Sequence, residues 1–126
     1  MKETLLIYHI EEKVEQAIRA IMAQLEVEVQ VIKDEDIYQK MGYILGLDGY
    51  SREENNSSEK LDKSFLYFAF FLDEQIDIVL EVFKMANLPY IPYKAMFTQQ
   101  NVDYTFAELY KNVEHEYQSL TNTIDK

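Results

Sequence analysis

The chain has 126 residues, with 12 basic and 23 acidic side chains for a formal charge of −11. It has no cysteine, no tryptophan, two histidines and three glycines. That length fits one domain, and the missing cysteines exclude disulfides, thiolate metal sites and cysteine nucleophiles.

The charge is spread along the chain, net −6 over residues 1–63 and net −5 over 64–126, with no basic block. Nucleic acid and anionic membranes are therefore not expected as partners. The start, Met1-Lys2-Glu3-Thr4-Leu5, carries an acid and no small-residue cleavage site, so no signal peptide is expected. The longest apolar run, 65–72, is far short of the about 20 residues a membrane helix needs. A soluble, cytoplasmic protein is the expectation.

Residues 4–10 predict a first strand, apolar on both parities at Leu5-Leu6-Ile7-Tyr8, so both faces should be covered. Residues 11–25 predict a helix, with Val14, Ala17, Ile18, Ile21, Met22 and Leu25 forming one stripe. Glu11 and Glu12 fall in its first turn, where the helix dipole favours acids. Val27, Val29 and Val31 alternate with Glu28 and Gln30, which predicts an edge strand with one wet face. Residues 34–46 predict a shorter helix, with Ile37, Met41, Ile44 and Leu45 inward, Asp34 as N-cap and Gly46 as stop. Residues 47–63 break the pattern, and 51–60 contain nothing apolar, which predicts a mobile loop.

Residues 64–72 predict a third strand, apolar on both faces and hence central, since at an edge it would invite aggregation. Asp73 is the predicted N-cap of a helix to residue 88, with Ile76, Val79, Leu80 and Phe83 inward. Pro89 and Pro92 bracket the turn into a fourth strand, 93–98. Thr105-Phe106-Ala107-Glu108 spells a capping box, with Tyr104 and Leu109 at the two positions of a hydrophobic staple. Phe106, Leu109, Tyr110, Val113, Tyr117 and Leu120 then keep helical spacing, and 121–126 should fray.

Residues 5–21 align with 67–83 at an offset of 62, so each half reads strand–helix–strand–helix. This predicts one α/β domain over 1–126: a duplicated βαβα with an open, mainly parallel four-stranded sheet, order 2-1-3-4, and helices on both faces. The alternative is a ferredoxin-like α+β fold with extra helices, which also centres strands one and three. In the parallel arrangement a ligand cleft lies beyond the carboxyl ends of those two strands. His9, Asp73, Thr98 and Asn101 are its candidate polar contacts.

No GxGxxG, Walker loop, nucleophile elbow or HExxH occurs. Two histidines cannot build a histidine zinc cluster. Glu114-His115-Glu116 reads as a solvated helix face and Asp34-Glu35-Asp36 as a helix start. No metal, cofactor or nucleophile–base pair is therefore expected.

The segment Lys94, Ala95, Thr98, Asn101, Tyr104, Thr105, Glu108 and Leu109 resembles a family of small, functionally uncharacterised bacterial proteins, seen chiefly in Gram-positive anaerobes. The family pattern is K-A-x-x-T-x-x-N-x-x-W-T followed by an E-L helix. Asp73-Glu74-Gln75-Ile76-Asp77 and 42–47 also look like it, and the likeness is strongest over 65–110. Two positions depart: Gln99 stands for a usual proline and Tyr104 for a usual tryptophan. The resemblance implies a fold unit and no activity. The expected function is a non-enzymatic protein-interaction or self-associating module, with Tyr90, Tyr93 and Tyr104 as candidate surface, since tyrosine is common at interfaces. The alternative is a small-ligand module using the strand-end cleft.

Overall fold

The computed structural model describes residues 2–54 and 59–124, which fall into two compact units. The first comprises Met1–Val31 and Ser64–Met96, the second Ile32–Lys63 and Phe97–Lys126. Part of the expected 47–63 loop and the end of the expected frayed terminus lie outside the described residues.

The first unit is two βαβ motifs. In the first, β1 (Thr4–Tyr8), α1 (Glu12–Gln24) and β2 (Glu28–Val31) follow one another. In the second, the order is β3 (Phe65–Ala69), α3 (Asp73–Met85) and β4 (Tyr93–Met96). The sheet order is β2-β1-β3-β4, the expected order, with the two doubly apolar strands in the centre. Both outer pairs are parallel, Leu5 opposite Val29 and Leu66 opposite Lys94. The central pair is antiparallel, with Leu6 opposite Tyr67. In a ferredoxin-like sheet another strand splits each βαβ motif; here β2 lies directly beside β1, and β4 beside β3.

One face of the sheet carries Leu5, Ile7, Leu66 and Phe68, packed with Ile18 and Met22 of α1 and Val79 and Phe83 of α3. Both crossover helices thus share that face. The antiparallel centre explains this: turning one right-handed βαβ motif by half a turn about the sheet normal reverses its strands but keeps its helix on the same side. The opposite parity, Leu6, Tyr8, Phe65 and Tyr67, is buried too, as the unbroken apolar runs predict.

The two motifs superpose in register at 61 residues, not 62. While β2 and β4 stand 65 apart, β1 and β3, and α1 and α3, keep this spacing. So do the left-handed residues, His9 with Phe70 and Glu26 with Asn87. The helix ends match bond for bond: Val27 N–H donates to the Met22 carbonyl at 2.9 Å and Leu88 N–H to the Phe83 carbonyl at 3.0 Å. Both are Schellman endings, in which a left-handed residue lets the chain satisfy the last carbonyls. A shift of 61 carries Leu6 onto Tyr67, its own cross-strand partner, so the local two-fold axis of this unit passes through that pair.

In the second unit, 34–46 is not one helix. A 3-10 turn covers Asp34–Asp36, the chain then extends, and α2 covers only Met41–Ile44. A second 3-10 turn, Asn101–Asp103, leads into α4 (Phe106–Ile124). The extended segment is claimed by tertiary pairing: Met41 N–H donates to the Tyr104 carbonyl at 2.8 Å and Phe106 N–H to the Gln39 carbonyl at 3.2 Å. Ala107 N–H adds a bond to the Ile37 carbonyl at 2.8 Å. The expected stop does occur: Gly46 has φ +73, and Leu47 N–H closes onto the Gly42 carbonyl. Residues 47–54 and 59–63 form no helix or strand, yet Arg52 bonds Asp36 at 2.7 Å and Gln39 holds the Glu53 backbone.

Candidate binding groove

The four predicted cleft residues have separate jobs. His9 ends β1 at φ 50, exposed, with its ring stacked 3.9 Å from that of Tyr8 and its carbonyl accepting from Ser64 Oγ at 2.7 Å. Asp73 is exposed at the start of α3. Because β1 and β3 run in opposite directions, their carboxyl ends lie at opposite ends of the sheet, and so do His9 and Asp73. The topological crevice of a parallel sheet requires both central strands to point the same way.

Asp73 is also not the N-cap. That position is Leu72, whose N–H donates to Gln75 Oε1 at 2.7 Å, while Gln75 Nε2 reaches Glu3 at 3.0 Å. Gln75 closes the first turn from inside the helix, leaving Asp73 to favour the dipole as a first-turn acid.

In the second unit, Thr98 and Asn101 bond each other's backbone. Thr98 N–H donates to Asn101 Oδ1 at 3.1 Å and Asn101 N–H to Thr98 Oγ1 at 2.9 Å. Asn101 is buried, and this reciprocal pair shapes the turn that leads into α4. Just beyond it, Thr105 and Glu108 form the predicted capping box, at 3.0 and 3.1 Å.

The three tyrosines differ in exposure. Tyr90 is 78% exposed, Tyr93 is buried, and Tyr104 is half-buried with its hydroxyl accepting from Gln100 at 2.9 Å. Tyr93 is thus not a surface residue: it starts β4 on the inward parity.

The first unit has a groove of about 870 Å³ beside α3 and the chain that leads into β4. Leu66, Leu80, Phe83, Leu88 and Ile91 give it an apolar lining. Asp77, Glu81, Lys84, Tyr90 and Lys94 supply the polar groups. Its size falls in the usual range for small-molecule pockets. Lys94 crosses it half-buried, with Nζ donating to the Ile91 carbonyl at 2.5 Å and lying 4.4 Å from the centre of the Tyr90 ring. Burial pushes the pKa of Lys94 below the ordinary lysine value, because the charged ammonium loses water there.

Pattern reading of single elements does not reveal this groove, but the broken repeat does. The α1–β2 connection is residues 25–27, whereas the α3–β4 connection is residues 86–92, four longer. The extra residues are Pro89-Tyr90-Ile91-Pro92, and three of them line the groove. Two prolines fix that wall without demanding backbone donors.

Among the described residues, no group of acids and histidines is arranged to hold a metal, and no helix is long and apolar enough to cross a membrane. Residues 64–120 match the family model described as a domain of unknown function, DUF3783. That stretch begins just before β3 and ends within α4, so it contains the second βαβ motif, the groove and the capping box. No match to the chain was found among curated proteins or among solved structures.

Proposed function

We propose that this protein is a non-enzymatic binding module whose working site is the α3–β4 groove rather than a strand-end cleft. One observation carries the reading: an apolar-lined cavity of ligand size at the four-residue departure from the internal repeat. Apolar lining supplies affinity, and a few fixed polar groups supply orientation. The groove's Asp77 and Glu81 are not joined there by a serine, cysteine or histidine, so it offers binding without a nucleophile–base pair. The absence of cysteine agrees with a cytoplasmic home for such a module.

Nile red tests the site directly. The native protein should bind the dye with enhanced, blue-shifted emission, and Leu88→Asp should abolish it by placing a charge in the apolar lining. Equal dye binding by both proteins would place the binding surface elsewhere.

A second reading, a partner-protein surface, is favoured by the outer edge of β4, which takes no strand within this sheet. Met96 on β4, Tyr90 before it and Met85 at the end of α3 are exposed. An extended partner segment could add there as a fifth strand. Sedimentation at high concentration separates self-association from a monomer awaiting another partner.

A further inference from the structure

Lys94 is the half-buried cation of the groove, and among the described residues no carboxylate lies within ion-pair distance of it. Arg19 has Glu15 at 2.9 Å, Arg52 has Asp36 at 2.7 Å and Lys40 has Glu53 at 3.5 Å, whereas among the described residues Lys13, Lys84 and Lys111, like Lys94, have no acid that close. Lys94 has a carbonyl and an aromatic face instead. Neither neutralises an ammonium, and an ammonium has three protons to donate. A half-buried ammonium beside apolar walls has lost part of its hydration, which a ligand's acceptor oxygen restores.

The surroundings narrow the ligand. Leu66, Phe83 and Leu88 call for hydrocarbon. Asp77 and Glu81 line the same cavity, so a dianion such as a phosphate monoester meets two negative charges where a single carboxylate meets a milder field.

We propose that the groove binds a small monocarboxylate with a hydrocarbon tail, its carboxylate accepting hydrogen bonds from Lys94 Nζ and its tail lying on Leu66, Phe83 and Leu88. This rests on the groove being the binding site, as proposed above, and adds the ligand's chemical class and the residue that selects it. Lys94 keeps its bond to the Ile91 carbonyl and directs its remaining protons to the ligand. Lys84, also a groove residue but exposed on α3, stays hydrated and contributes no selectivity.

Calorimetric titration with octanoate, 1-octanol and octylammonium tests this on the intact protein. Octanoate should bind about tenfold more tightly than octanol, the size of one charge-assisted hydrogen bond. Octylammonium should bind no better than octanol. Lys94→Met should bring octanoate down to the level of octanol, whereas Lys13→Met, exposed on α1 and outside the groove, should keep the preference. Where Lys94→Met does not fold, Lys94→Gln takes its place. Equal binding of octanoate and octanol to the native protein overturns the role of Lys94 while the groove reading stands. A preference kept in Lys94→Met also overturns it. No binding of any octyl probe overturns the groove itself.

Discussion

Among the described residues, four other than glycine hold left-handed backbone: His9 at φ 50, Glu26 at 59, Phe70 at 69 and Asn87 at 59. Asparagine tolerates this region through its short polar side chain; glutamate and phenylalanine do not share that ease. Glu26 sits one residue past the C-cap of α1 and is exposed, so its conformation serves the helix ending alone. Glu26→Gly should raise stability by about 1 kcal/mol, measured as a higher urea midpoint at unchanged slope. Gln39 is the opposite case, a fully buried amide whose two ends meet the carbonyl and N–H of Glu53 at 2.7 and 2.8 Å. Gln39→Leu keeps the volume and abandons both backbone groups. It should cost about 1–3 kcal/mol and speed hydrogen exchange at the Glu53 amide. Gly42 lies under the Tyr50 ring, so close that a Cβ would sit 2.5 Å from it. The Tyr50 hydroxyl donates to Asp103, which raises the phenol's pKa. Gly42→Ala must displace the ring, so a spectrophotometric titration should find that pKa returned toward its ordinary value.

At the scale of elements, self-contained local signals form as spelled, and weaker ones yield to their neighbours. Thr105-x-x-Glu108 is a self-contained device, since its partners are three residues apart, and it formed as spelled. Thr105→Ala should therefore lower stability by about 1 kcal/mol, seen in thermal or urea denaturation, with α4 as the element loosened. The helix expected over 34–46 had apolar spacing but no such device, and pairing of Gln39 and Met41 with Tyr104 and Phe106 took its middle. No pattern within 34–46 can announce a partner about 65 residues away. The repeat reads at 62 in the sequence and stands at 61 in the structure for a related reason. A strand apolar on both parities looks the same after a one-residue slip. The helices conceal it too, because Ile21 and Met22, like Val79 and Leu80, are adjacent apolar residues. Burial placed β1 and β3 in the centre, but it decided neither which edge strand lies beside which nor the direction of β3 against β1, because a long connection can return the chain either way. That one sign decided whether His9 and Asp73 shared a cleft.

For the molecule as a whole, the acidic composition and the buried tyrosines bound the pH range of stability. Burial raises the pKa of Tyr67 and of Tyr110 above the usual phenol value. In the unfolded chain these phenols ionise near pH 10, while in the folded protein they hold their protons longer. Above that pH the unfolded state binds fewer protons, so stability is full below about pH 10 and declines as pH rises beyond it. Tyr67→Phe should flatten that alkaline decline in urea titrations, whatever it costs at neutral pH. The groove was legible only as an irregularity, four residues that one half has and the other lacks, and its significance needed the correct offset. The central Leu6–Tyr67 pair carries a last consequence. A chain holding only one βαβ motif would leave an apolar inner strand with a raw edge, and the economical way to close it is to pair with its own twin. The first unit is, in this sense, arranged as a dimer of βαβ motifs within one polypeptide. Joining the halves covalently frees them from being identical, so one can keep the short α1–β2 connection while the other gains a proline-bounded wall.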